Sequence, residues 1–207
     1  SYDILGHGKS SLKKDKISFD DFSDQLIELL DELNINKIHL IGFSIGSLIA
    51  RNFATKFNDR LKSLILLGSI YKRSEEQQKI VNSRFDQAKK ELKLSRQALK
   101  RWFTDKYLEK NTETYEKISL ILSSNNMSNF LKVYELFVKH NNDEDFEKIK
   151  VNTLIMTGEN DVGSTVKMSE ELNKIIKNSE IKIIKGGKHL CGIECADDVN
   201  LAIKNFV

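Results

Sequence analysis

The stretch from Lys37 to Phe57 constrains this chain most. A short, mostly apolar run, Lys37-Ile38-His39-Leu40-Ile41-Gly42-Phe43, stops at Ser44, and Ile45 to Phe57 then carries apolar residues at helical spacing. Such a run reads as a buried parallel strand, so a strand meets a helix at Ser44. Gly42 and Gly46 flank the junction in the pattern Gly42-Phe43-Ser44-Ile45-Gly46. Small residues there let strand and helix pass without Cβ clashes. The sharp turn would hold Ser44 in a strained backbone conformation and lift its hydroxyl into a cleft. It would also leave the Ile45 N–H free at a helix N-terminus, where it can stabilise an oxyanion. The competing reading is a tight turn in which Ser44 is an ordinary helix cap.

The same alternation extends in both directions. Asp15 to Leu33 has an approximate 3.6 period with Ser18 placed as a cap, and Leu61 to Leu67 is a further apolar run closed by Gly68. Strand, helix, strand over this length predicts a right-handed βαβ unit. From Tyr71 to about Glu147 the texture turns polar and helix-forming, as in Ser74 to Leu94 and Ser95 to Glu109. Strand and helix then resume: strands at Val151 to Gly158 and Ile181 to Ile184, helices at Ser164 to Ile176 and Ala196 to Phe206. The prediction is an α/β fold with a mostly parallel sheet flanked by helices. Residues 1–70 and 148–207 would form its core, and a helical cap, 71–147, would be inserted over the strand C-termini. A chain of 207 residues is enough for one such domain.

Charge narrows the partners. Lys and Arg number 33 against 30 Asp and Glu, a net +3 that is interspersed, so the one-sided stripe that nucleic acid selects is not expected. No apolar run approaches the roughly 18 to 20 residues of a membrane span, and the expectation is a cytoplasmic protein without a membrane partner. Cys191 and Cys195, close together in one segment, suggest a reducing compartment more than a disulfide framework. Proline is absent, and no function attaches to that.

A serine hydroxyl is a poor nucleophile near neutral pH. It needs a base within hydrogen-bond reach, and the base needs a carboxylate to orient it. Asp161, in Gly158-Glu159-Asn160-Asp161, follows one late strand, and His189, in Gly186-Gly187-Lys188-His189, follows the next. Glu159 is the nearest substitute acid, and a helix-capping Asp161 is the plainer alternative. His7, His39 and His140 read as structural or solvated. His189, Cys191 and Cys195 do not match a zinc ligand spacing, and neither cysteine sits at a strand-to-helix turn, so no metal site is expected.

At these residues the chain resembles the α/β-hydrolase superfamily along its whole length. Asp3 to Ser10 is similar to its Asp-x-x-Gly-x-Gly-x-Ser loop, Gly42 to Gly46 to its nucleophile elbow, and Asp161 and His189 to its acid and base. Within the superfamily it is most similar to 3-oxoadipate enol-lactonases and related small-molecule esterases. That likeness rests on Ala98 to Phe103, on Gly158 to Thr165, and on His189 with Gly192-Ile193-Glu194. Ser47, where many of these enzymes have glycine, and Val166, where proline is customary, depart from the pattern.

The resemblance implies a Ser44-His189-Asp161 triad that hydrolyses a small-molecule ester or lactone through an acyl-enzyme, without metal or organic cofactor. Trp102 and Leu190 would line the pocket, although Trp102 reads equally as core. It also implies that the family's first three strands and most of the fourth have no counterpart here. The expectation is then a longer natural protein and unpaired backbone groups along Lys37 to Phe43. The loop after the missing third strand would be the source of a second oxyanion donor. Rival readings are a carbon–carbon bond hydrolase of the same fold, a ligand sensor that keeps the triad, and an inactive remnant. The sequence leaves oligomeric state and substrate identity open.

Overall fold

The computed structural model describes residues 1–91 and 97–207. Its strands are β1 (Ile38–Phe43), β2 (Leu61–Leu67), β3 (Thr153–Gly158) and β4 (Ser179–Ile184), which form one sheet in the order β1-β2-β3-β4. Every pairing is parallel. Phe43 lies opposite Leu67, Leu67 opposite Met156, and Gly158 opposite Ile184. The strand C-termini therefore end together, and the loops that carry Ser44, Asp161 and His189 all leave from that one end of the sheet.

The helices in chain order are α1 (Phe19–Glu32), α2 (Ile45–Lys56), α3 (Glu75–Glu91), α4 (Gln97–Trp102), α5 (Asp105–Lys110), α6 (Thr112–Ser124), α7 (Met127–Val138), α8 (Val166–Ile175), α9 (Cys191–Glu194) and α10 (Ala196–Phe206). None among the described residues is long and apolar enough to cross a membrane. Helix α1 forms because Phe22, Leu26 and Leu30 fall on one stripe, which it buries. Ser18 stands at its N-cap, and the Asp21 carboxylate accepts from the Ser18 N–H at 2.8 Å.

The continuous apolar runs of the central strands follow from coverage on both faces. In β2, Leu64 and Leu66 join a core with α1, α2 and α8, whereas Ile65 and Leu67 join a second core with α9 and α10. In β3, Ile155 faces the first core, and Leu154 and Met156 the second. Strand β1 departs from the buried strand expected of its apolar run, and matches the unpaired backbone groups expected along Lys37 to Phe43. Among the described residues it pairs with β2 alone, at the sheet edge, and Ile41 is 48% exposed. An apolar run cannot by itself distinguish a central strand from an edge strand, because both pleat identically.

Between β2 and β3 the chain passes through α3 to α7, with no strand among the described residues. Helices α3 and α7 pack through Val81, Phe85 and Val138, with Tyr134 and Phe137 against them. The expected helical stretch Ser95 to Glu109 divides into α4 and α5. Thr104 interrupts it in an extended conformation, and its side chain caps α5 by accepting from the Tyr107 N–H. The expected junction at Leu94 and Ser95 lies outside the described residues.

The returning segment is anchored to α2 by a buried charge cluster. Arg51, fully buried, donates to the Ile70 carbonyl at 2.7 Å and to the Glu144 carboxylate at 2.7 Å, and it stacks over the Phe146 ring. His140 is 3.4 Å from the same carboxylate. Burial alone would push Glu144 upward. The hydrogen bond from His140 and the charge of Arg51 outweigh it and hold the carboxyl below its ordinary range.

Candidate active site

Ser44 occupies the junction of β1 and α2 with φ 53° and ψ −119°, a left-handed region that costs a non-glycine residue of order 1–3 kcal/mol. Its N–H donates to the Leu67 carbonyl at 2.9 Å, which fixes the turn to the end of β2. The flanking glycines differ in role. A Cβ on Gly42 would lie 2.3 Å from the Gly46 carbonyl oxygen, so only glycine fits there. A Cβ on Gly46 would meet nothing within 4 Å. The tight passage expected of both glycines is thus a requirement on Gly42 alone, against the backbone of Gly46. Ile45 is the first residue of α2, where the helix supplies no acceptor for its N–H.

Asp161 and His189 follow β3 and β4. Their loops cross so closely that a Cβ on Gly158 would come within 2.3 Å of the Lys188 carbonyl oxygen. Asp161 is 5% exposed, and its carboxylate is fully engaged. One oxygen accepts from the Gly163 and Ser164 N–H groups at 2.8 and 3.0 Å, and the other lies 2.7 Å from His189 Nδ1. A carboxylate at that distance favours the tautomer with the proton on Nδ1 and leaves Nε2 to accept. Nε2 is 3.0 Å from Ser44 Oγ. Glu159 is turned elsewhere, accepting from the Gly186 N–H at 2.9 Å.

These groups open into a cavity of about 360 Å³ between the sheet end and the helices from α3 to α7. Ser44, Ile45, Trp102, Asp161 and His189 line it; Leu190 does not. Leu190 instead serves through its backbone, donating its N–H to the Trp102 carbonyl at 2.9 Å. Two further bonds run alongside. Lys188 Nζ donates to the Lys100 carbonyl at 3.0 Å, and the Thr104 N–H donates to Glu194 at 3.2 Å. The loop bearing His189 is therefore strapped to α4 and the turn after it. Trp102 also sits beside the imidazole, with ring centroids 6.3 Å apart.

Sequence reasoning missed some of this site. His7 lines the cavity, with Phe130 edge-on at 6.3 Å, and its place in an opening glycine loop gave no sign of that. His39 is exposed on β1 and pairs with Ser63, and His140 belongs to the Arg51 cluster. Cys191 and Cys195 are free thiols. Burial, with the nearby Cys195 and Asp161 adding to it, pushes Cys191 up to about 12, so it stays a protonated thiol at neutral pH.

The arrangement can activate a hydroxyl, orient the activating imidazole and offer an N–H to a developing oxyanion. The family model of the alpha/beta hydrolase fold matches residues 1–194. The (E)-2-((N-methylformamido)methylene)succinate hydrolase of Acinetobacter baylyi is 28% identical over 209 residues, covering 100% of this chain and 79% of its own length. The 3-oxoadipate enol-lactonase 2 of the same organism is 25% identical over 98% of this chain and 76% of its own length. Among solved structures, a thermophilic esterase from Thermogutta terrifontis superposes with a TM-score of 0.86 at 24% identity, covering 98% of this chain and 76% of that one.

Proposed function

This chain belongs to the alpha/beta hydrolase fold family, and from that membership we propose that it is a serine hydrolase cleaving an ester or lactone of a small molecule through an acyl-enzyme. The observation that carries the reading is the unbroken line from the Asp161 carboxylate through His189 to Ser44, with spacings of 2.7 and 3.0 Å. The name of the enol-lactonase relative supports a lactone bond, and that of the succinate-derivative hydrolase supports hydrolysis without pointing to an ester.

In the proposed reaction, His189 Nε2 takes the Ser44 proton as Oγ attacks the substrate carbonyl carbon. The carbonyl oxygen becomes an oxyanion facing the Ile45 N–H, one preorganised donor of the kind that lowers such barriers most. Asp161 keeps the imidazole in its productive tautomer and balances the imidazolium. The imidazolium then protonates the leaving oxygen, and the tetrahedral adduct collapses to an ester on Ser44. Water, deprotonated by His189, releases the acid product and restores the serine.

The test is labelling with a fluorophosphonate, followed by mass spectrometry of the peptide containing Ser44. One adduct on that peptide is expected, lost in Ser44→Ala. Equal labelling of the variant, or no labelling of the folded wild type, would rule the reading out.

A further inference from the structure

Ser47, in the first turn of α2, stands where many similar enzymes carry glycine, and it is fully buried. Its hydroxyl donates to the Ser44 carbonyl oxygen at 2.5 Å, and its backbone N–H donates to the same oxygen at 2.9 Å. A serine hydroxyl on a helix often bonds back to a carbonyl one turn earlier, and such a bond alone means no more than local structure. What sets this one apart is the peptide it grips.

A trans peptide is planar, with its C=O and N–H on opposite sides, so whatever holds the one aims the other. The Ser44 carbonyl and the Ile45 N–H belong to a single trans peptide, and both residues line the cavity. The plane of that peptide is set by the Ser44 ψ of −119°, in a residue already strained by its φ of 53°. On the near side, the Ser44 N–H is tied to the Leu67 carbonyl at the end of β2, at 2.9 Å. On the far side, the two bonds from Ser47 hold the carbonyl. Because Ser47 is shut off from solvent, its hydroxyl meets no competition from water for that oxygen.

We propose that Ser47 is a positioning residue, whose hydroxyl clamps the Ser44 carbonyl and thereby keeps the Ile45 N–H aimed at the developing oxyanion. The role rests on the serine-hydrolase reading for what the N–H does, but not for the clamp. Two donors on one carbonyl restrict the rotation of its peptide more than one does. They also polarise the peptide, which makes the N–H at its other end a stronger donor. A donor to an oxyanion is effective because it is in place before the charge develops, and the clamp keeps it there. Where similar enzymes carry glycine, the hydroxyl is an addition of this chain.

The test is Ser47→Ala, which removes the hydroxyl and keeps the helix. On a p-nitrophenyl ester kcat should fall about tenfold, short of the hundredfold or more that loss of a whole oxyanion donor costs, with KM unchanged. A trifluoromethyl ketone, whose adduct with Ser44 carries an oxyanion, should lose affinity by a similar factor. Ser47→Cys fills nearly the same space with a weak donor and should show the same losses; wild-type kcat in that variant would trace the fall to a void and overturn the clamp. The Ile45 amide nitrogen gives a readout that needs no turnover. Hydrogen bonds to the Ser44 carbonyl draw electrons from that nitrogen, so its NMR resonance should move upfield in both variants. A KM that rises with kcat unchanged also overturns the proposal. Fluorophosphonate labelling of wild-type Ser44 separates the two readings. A wild type that takes no label overturns the serine-hydrolase reading and with it the purpose of the clamp, whereas a labelled wild type with an unmoved Ile45 resonance in the variants overturns the clamp alone.

Discussion

Ser44 Oγ and His189 Nε2 lie 3.0 Å apart across 145 residues of sequence, each on a loop that leaves the same end of the sheet. Asp161, 2.7 Å behind the ring, has both oxygens occupied, so the imidazole has one favoured orientation. Asp161→Asn keeps the shape and offers an N–H where an acceptor is needed, which turns the ring to the wrong tautomer. The expected loss in kcat is on the order of ten-thousandfold on a p-nitrophenyl ester, with the melting temperature little changed. A loss below tenfold would remove Asp161 from its proposed role.

The two glycines beside Ser44 should respond oppositely to alanine. Gly42→Ala drives a Cβ into the Gly46 backbone at 2.3 Å, an overpacking that flexible side chains cannot relieve. A cost of at least about 1–3 kcal/mol is expected, which lowers Tm by several degrees in a chain of this size. Gly46→Ala enters open space in the first turn of α2 and should hold or raise Tm by helix propensity. Melting curves of the two variants check both.

The buried pair of Arg51 and Glu144 makes a prediction in pH. The folded carboxyl is held below its ordinary value of 4.5, so its stabilisation is complete above that pH and lost as pH falls through the lower folded value. Glu144→Gln leaves the Arg51 charge buried without its partner and should cost about 3–5 kcal/mol at pH 7. The variant should also lose stability less steeply between pH 5 and acid pH than the wild type. Urea unfolding at a series of pH values measures both effects; parallel curves would exclude the linkage.

Thiol titration should separate the two cysteines. Cys191, 1% exposed and pushed up to about 12, remains a protonated, covered thiol at pH 8. A disulfide reagent on the folded protein should therefore find Cys195, and slowly, since burial raises its pKa as well. Both should react after unfolding. Rapid reaction of Cys191 in the native state would contradict this burial.

What the sequence disclosed follows from what is local. Ser44, Asp161 and His189 each stand directly after an apolar run, so once the runs are read as parallel strands their loops must share an end. The edge exposure of Ile41, by contrast, depends on which strand lies beside β1; the pleat of β1 carries no record of that, and only the resemblance, with no counterpart to the family's third strand, pointed to it. Arg51 reads as one charge on an amphipathic helix until Glu144 is placed against it from 93 residues away. The place of His7 in the cavity is equally non-local, because helices from distant parts of the chain assemble the concavity. The break at Thr104 was legible in principle, since threonine is a known cap, but no proline or glycine marked it.

The backbone bond from Leu190 to the Trp102 carbonyl makes the wall of the cavity and the mount of the imidazole one mechanical part. Its size and its readiness cannot be adjusted separately. Reshaping residues 100–104 to admit a bulkier guest will tilt the ring against Ser44, and the first sign will be a slower chemical step instead of a wider choice of guests.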